Sequence, residues 1–152
     1  MCGISGWATQ NDPRQAIPIV RRMTDALVHR GPDEGGVVAT GMGAVGMRRL
    51  SIIDIVGGTQ PMASADGRHA LVYNGELYEH RQLRQRLAAR GAKFRTRSDT
   101  EVLLAALALE GEACIPQLNG MFAFALADRR DQTLLIARDP LGIKPLYYYV
   151  PP

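Results

Sequence analysis

Gly120-Met121-Phe122-Ala123-Phe124-Ala125-Leu126-Ala127 alternates large and small side chains with a period of two, and its alanines leave both faces apolar. A strand buried between two layers has this composition, because neither face meets water. Downstream the sequence predicts a turn at Asp128 to Asp131, a strand over Thr133 to Ala137 and another over Leu146 to Val150. Upstream, Ser98-Asp99-Thr100-Glu101 has the S-x-x-E form of a capping box and predicts a helix start before Val102 to Leu109. Glu79 to Arg90 reads as a basic amphipathic helix with Leu83 and Leu87 inward and Gly91 as its stop. A strand over His69 to Tyr73 precedes it, cut short by Asn74-Gly75, a dipeptide suited to turns.

Nearer the N-terminus, Gly36 to Thr40 and Ala44 to Arg49 read as a hairpin joined by Gly41-Met42-Gly43. The loop His29-Arg30-Gly31-Pro32-Asp33 ends a helix whose face is marked by Ile17, Val20, Met23, Thr24 and Leu27. Strands that are mostly antiparallel, with helices outside them, make the class α+β.

The chain has 152 residues, 46% of them hydrophobic and 22% charged, which suits one domain with a real core and not two. Its net charge of +3 is mildly basic and dispersed, so nucleic acid is not indicated as a partner. No apolar run approaches a membrane span, and no signal sequence opens the chain. Cys2 and Cys114 are too few for a disulfide framework and have no metal-ligand spacing with the three histidines, so a reducing cytoplasm fits. Cys114 reads as core, and Trp7, Tyr147, Tyr148 and Tyr149 as packing residues.

Cys2 stands directly after Met1 in Met1-Cys2-Gly3-Ile4-Ser5-Gly6. Removal of Met1 would leave a thiol and a free α-amino group on one residue. A thiol of ordinary pKa about 8.5 is only partly ionised at neutral pH, whereas an α-amino group near about 7.7 to 8 can accept its proton. N-terminal amines activate nucleophiles in this way. The alternative reading of Cys2 is a small buried hydrophobe.

Further motifs follow: Arg30-Gly31-Pro32-Asp33, Arg49-Leu50-Ser51-Ile52-Ile53-Asp54, Gln60-Pro61-Met62, Asn74-Gly75-Glu76-Leu77-Tyr78, Ser98-Asp99-Thr100-Glu101 and Arg138-Asp139-Pro140-Leu141-Gly142-Ile143-Lys144-Pro145-Leu146. As an ordered set they closely resemble the N-terminal glutaminase domain of the glutamine-dependent asparagine synthetases, within the class II glutamine amidotransferases. The resemblance covers essentially all of residues 1–152. It implies the N-terminal nucleophile (Ntn) hydrolase fold, an αββα sandwich of two mainly antiparallel sheets between helical layers. It also implies that Cys2 attacks the side-chain amide of L-glutamine to give a γ-glutamyl thioester and ammonia, with its own amine relaying the proton.

By the same resemblance Asn74 and Gly75 supply an oxyanion hole, a side-chain N–H and a backbone N–H from adjacent residues; the dipeptide also reads as a simple turn. Arg49 would take the substrate α-carboxylate through its planar fork, with Leu50, Ser51, Ile52 and Ile53 lining the site. Arg48 beside it leaves the choice between the two arginines open. Asp99 and Glu76 would hold the α-ammonium, although Asp99 also suits the first turn of a helix and Glu76 an ordinary surface. Arg30 shapes the wall over glutamine without a catalytic step.

The resemblance implies a second domain that activates aspartate with ATP and Mg, and no such domain or phosphate-binding loop occurs in these residues. No cofactor is therefore expected on this chain, and ATP and Mg belong to the absent synthetase domain or acceptor subunit. The glutaminase domain itself is expected to be incomplete at its C-terminus, a fragment whose bare sheet edge is covered by self-association as a homo-oligomer. Two alternatives stand beside the enzyme: a non-catalytic glutamine-binding or assembly module, and the glutaminase of a related amidotransferase with another acceptor.

Overall fold

The structure, a computed structural model, describes residues 2–9, 12–51 and 57–151. Two antiparallel sheets lie face to face. The first has the order β1-β3-β2, built from β1 (Gly3–Ala8), β2 (Glu34–Thr40) and β3 (Gly43–Arg49). In the second, β4 (Met62–Ala63), β5 (His69–Leu77), β6 (Gly120–Asp128) and β7 (Thr133–Arg138) follow one another in order. Helix α1 (Ala16–Asp25) covers the outer face of the first sheet through Ala16 and Val20 against Ala44. Helices α2 (His80–Ala89) and α3 (Asp99–Glu110) cover the outer face of the second, where Leu87, Leu103 and Leu107 join Leu71, Tyr73, Phe122 and Phe124. The layers are thus helix, sheet, sheet, helix, the expected αββα order.

Strand β6 shows why this stacking suits the sequence. Phe122, Phe124 and Leu126 belong to the core beneath α2 and α3, whereas Ala125 packs with Val45, Met47 and Val72 between the sheets. Large side chains fill the wide space under the helices, and the alanines let the two sheets approach. The alternation thus assigns the faces of β6 to different layers.

Several local expectations hold. The hairpin pairs Thr40 with Gly43, and Gly91 ends α2 at φ +94, a conformation glycine adopts without penalty. Cys114 is buried in the core, where burial, with the Glu110 charge adding to it, pushes its thiol up to about 11. Half of the capping box forms: Ser98 Oγ accepts from Glu101 N at 3.2 Å. The Glu101 carboxylate does not return to Ser98; it accepts from the Arg95 and Thr96 amides and from Thr96 Oγ1, fastening the preceding loop.

Three expectations are corrected. Asn74-Gly75 is no turn, because β5 runs through both residues to Leu77, with Asn74 opposite Ala123 and Gly75 opposite Phe122. The apolar cross-strand partners outweigh the local preference of the dipeptide. Leu146 to Val150 forms no strand, and Tyr147 is 92% exposed, with Tyr148, Tyr149 and Val150 also exposed, so these tyrosines are not packing residues. Their β-forming composition has no neighbouring strand to pair with in the described residues. Trp7 too is exposed rather than packed.

At the far end of the second sheet Arg68 forks onto Asp128, with Nε 2.8 Å and Nη2 2.6 Å from Oδ2, and also reaches Asp131. The Arg68 hydrogen bonds, opposed by burial and helped by the amides of Asp131 and Arg130, hold the Asp128 carboxyl far below its ordinary range. A carboxyl depressed in the folded state contributes stability above its unfolded pKa and loses that contribution as pH falls toward the folded one. We expect Asp128→Asn to cost about 1–2 kcal/mol at pH 7. Thermal unfolding from pH 7 down to pH about 2 should show the gap between variant and wild type narrowing below pH about 4. A gap independent of pH would mean that Asp128 acts through packing alone.

Candidate active site

The two sheets bring chemistry-bearing side chains to one gap. Cys2 packs against Val45, Met47, Val72 and Ala125, the cluster between the sheets. Because faces alternate along a strand, Arg49 shares the face of Val45 and Met47, and Glu34 shares that of Val38. On the facing sheet Asn74 and Glu76 share the face of Val72. Cys2, Glu34 and Arg49 on one side, and Asn74 and Glu76 on the other, therefore look into the same inter-sheet space.

Cys2 is held at three points. Its thiol donates to Leu50 O at 3.8 Å, its carbonyl accepts from Arg30 Nε at 3.1 Å, and Gly3 beside it pairs with Arg48. The loop carrying Arg30 lies directly on the end of β3. Arg48 Nε donates to Gly31 O (2.9 Å) and Arg48 Nη2 to Pro32 O (3.1 Å), while Asp33 Oδ2 accepts from Ser51 N (2.8 Å). These contacts separate the two arginines that sequence could not: Arg48 braces the loop, and Arg49 faces the gap. Arg30 acts on the backbone of Cys2, a closer role than a wall.

Arg49 is buried, and its Nη1 donates to Glu34 Oε1 at 2.7 Å; Ser51 Oγ donates to the same oxygen at 3.1 Å. Sequence reasoning passed over Glu34, although the hairpin carried the signal. With Thr40 paired to Gly43, walking back along both strands brings Glu34 opposite Arg49. Leu50 and Ser51 lie beside Cys2 and Glu34 through the thiol and Glu34 contacts, whereas Ile52 and Ile53 lie outside the described residues.

Asn74 is buried, and among the described residues its side-chain amide makes no hydrogen bond. Its amide atoms are not sealed off, since His69 Nδ1 alone among the described residues is a buried side-chain polar atom without a partner, and the Asn74 amide is therefore an accessible donor. Gly75 lies against the β6 backbone, and a methyl group there would stand 2.8 Å from Phe122 Cα.

Asp99 begins α3, so its first-turn position is real, but its Oδ2 also accepts from Tyr73 Oη at 2.9 Å and from Leu77 N at 3.1 Å. Burial above all, then the Asp99 carboxylate through its charge and its hydrogen bond, raises the Tyr73 phenol far above its ordinary value and keeps it a neutral donor. Gln60, another residue without an assigned role in the sequence reading, supports the same strand: its Oε1 accepts from Tyr73 N at 2.7 Å and its Nε2 donates to Thr100 Oγ1 at 3.3 Å. Tyr73 thus ties β5 to the start of α3. Two surface clefts, one beside α2 and one beside Asp128, are lined by none of Cys2, Arg49, Asn74 and Asp99. Among the described residues no group of three or more His, Cys, Asp or Glu side chains is placed to hold a metal ion.

Comparison with known proteins identifies the family and the fold. The glutamine amidotransferase domain family matches residues 1–151. Asparagine synthetase [glutamine-hydrolyzing] 3 of Bacillus subtilis is 44% identical over 151 residues, covering 97% of this chain and 25% of that protein. Asparagine synthetase B [glutamine-hydrolyzing] of Escherichia coli is 39% identical over 148 residues, 97% of this chain and 26% of its own. The chain thus spans about a quarter of the length of these relatives. In three dimensions, glutamine phosphoribosylpyrophosphate amidotransferase from B. subtilis superposes with a TM-score of 0.69 at 24% identity, over 94% of this chain and 38% of the other, which identifies the Ntn amidotransferase fold. With the family matched from end to end on a fold that carries Cys2 into the gap between its sheets, this chain belongs to the glutamine amidotransferase domain family.

Proposed function

We propose that the chain is the glutaminase module of a glutamine-dependent asparagine synthetase. The observation that carries this reading is Cys2, lodged between the sheets with its thiol on Leu50, its carbonyl on Arg30, and Arg49 and Asn74 facing the same space. After loss of Met1, the α-amino group of Cys2 takes the thiol proton and the sulfur attacks the side-chain carbonyl carbon of L-glutamine. The oxygen of that carbonyl gains the charge, which Asn74 and the Gly75 amide receive. Collapse of the tetrahedral species expels ammonia, which takes up the proton and leaves a γ-glutamyl thioester; water then releases glutamate and the free thiol.

Arg49 seats the substrate α-carboxylate, with Leu50 and Ser51 beside it, and Glu76 and Asp99 provide negative charge for the α-ammonium. Ammonia passes to an aspartate activated with ATP and Mg on a synthetase domain or acceptor subunit, and no cofactor binds this module. Two unpaired thiols, Cys2 and Cys114, suit a reducing cytoplasm, and the exposed Tyr147 to Val150 segment suits self-association. The described residues contain no helix long and apolar enough to cross a membrane.

Intact mass after incubation with 6-diazo-5-oxo-L-norleucine, an electrophilic glutamine analogue, tests this reading. A single adduct on protein lacking Met1, suppressed by L-glutamine, is the expected result. Folded protein that keeps Met1 and stays unlabelled would instead be a non-catalytic glutamine-binding or assembly module.

A further inference from the structure

Glu34 and Arg49 stand directly opposite each other on β2 and β3, both on the inter-sheet face, and meet at 2.7 Å. Their exposures differ. The Arg49 side chain is 6% exposed and the Glu34 side chain 31%, so the cation is fixed inside while the anion has a path to solvent. A buried guanidinium needs an anionic partner whenever the site is empty of substrate. Glu34 meets that need with the same chemical group, a carboxylate, that glutamine presents at its α-carbon.

We infer that Glu34 is a built-in competitor for the carboxylate seat at Arg49 and thereby sets the affinity of the site for α-carboxylate substrates. The inference rests on the proposed role of Arg49. When glutamine enters, its α-carboxylate either displaces Glu34 toward solvent or shares the guanidinium with it, and in both cases the Glu34 charge opposes binding. Among the described residues only Oε1 of Glu34 is engaged, by Arg49 and Ser51 together. A glutamine at this position keeps an oxygen acceptor for both donors and removes the charge, which separates competition from simple support of Arg49.

The test compares KM and kcat for L-glutamine and for its α-carboxamide, in which the α-carboxylate is replaced by a neutral amide, using wild type, Glu34→Gln and Glu34→Ala. We expect Glu34→Gln to lower KM for L-glutamine about threefold or more with kcat nearly unchanged. KM for the α-carboxamide should not fall, since that ligand has no carboxylate for Glu34 to oppose and its α-ammonium is attracted by the Glu34 charge if affected at all. An unchanged or raised KM for L-glutamine in Glu34→Gln overturns the inference; a rise in both variants would make Glu34 a positioning residue for Arg49. Failure of the underlying reading looks different and is seen in the wild type alone. Equal KM values for L-glutamine and its α-carboxamide would remove the carboxylate role of Arg49, and absence of both hydrolysis and Cys2 labelling would remove the glutaminase itself.

Discussion

Cys2→Ala should abolish glutamine hydrolysis, lowering kcat at least about a thousandfold, because without the sulfur no thioester forms and no other group replaces it. The same change should leave the fold nearly intact. Cys2 is only partly buried and precedes β1, and its thiol makes one long contact with Leu50 O, so about 1 kcal/mol or less of stability is at stake. Parallel measurement of glutamate release and thermal unfolding checks both halves. Cys2→Ser keeps a small polar atom at the same place and should be nearly as inactive, since a hydroxyl offers far less anion to attack with than a thiol. Retained hydrolysis in Cys2→Ala would mean that another group, or plain water positioned by Asn74, performs the attack.

How much of this arrangement was legible beforehand depended on whether the signal was local. Period-two alternation in β6, the hairpin around Gly41-Met42, the Ser98 cap and the Gly91 stop are properties of a few neighbouring residues, and the structure keeps all four. The errors came where a partner from elsewhere decides. Asn74-Gly75 has the chemistry of a turn, but Ala123 and Phe122 across the sheet hold it in a strand. Leu146 to Val150 has the chemistry of a strand and pairs with no strand among the described residues, so Tyr147 to Val150 stay exposed.

The site divides in the same way. Cys2 stands out from its place after Met1, whereas Arg49 is told from Arg48 only by the fold, which brings it to the same gap as Cys2. That Arg30 holds the carbonyl of the nucleophile is a consequence of the Gly31-Pro32 loop lying against β3, whereas the Glu34 contact with Arg49 follows from the local hairpin register. The Tyr73 contact with Asp99 needs the start of α3 placed at the end of β5, a relation across 26 residues that no spacing rule supplies.

Gly75→Ala should damage both stability and activity, and the reason is crowding rather than backbone conformation. Its φ lies outside the left-handed region, but an added methyl group would collide with Met121 O and lie 2.7 Å from Tyr73 Cε2 and 2.8 Å from Phe122 Cα. Two of these are backbone atoms of the neighbouring strand, so relief requires β5 and β6 to separate. These are the two inner strands of the four-stranded sheet. A loss of about 3 kcal/mol is expected in chemical denaturation. Activity should fall further than stability explains, because the shift would carry Asn74 and Glu76 on one side, and Tyr73 with its Asp99 contact on the other, away from Cys2. Gly91→Ala is the contrasting case. That residue has φ +94 and no atom within 4 Å of an added methyl, so only conformational strain opposes it, about 1–2 kcal/mol, with catalysis unchanged. Equal losses in the two variants, with hydrolysis preserved in both, would show that β5 and β6 have room between them at Gly75 and that its amide is not held in place by close strand contact.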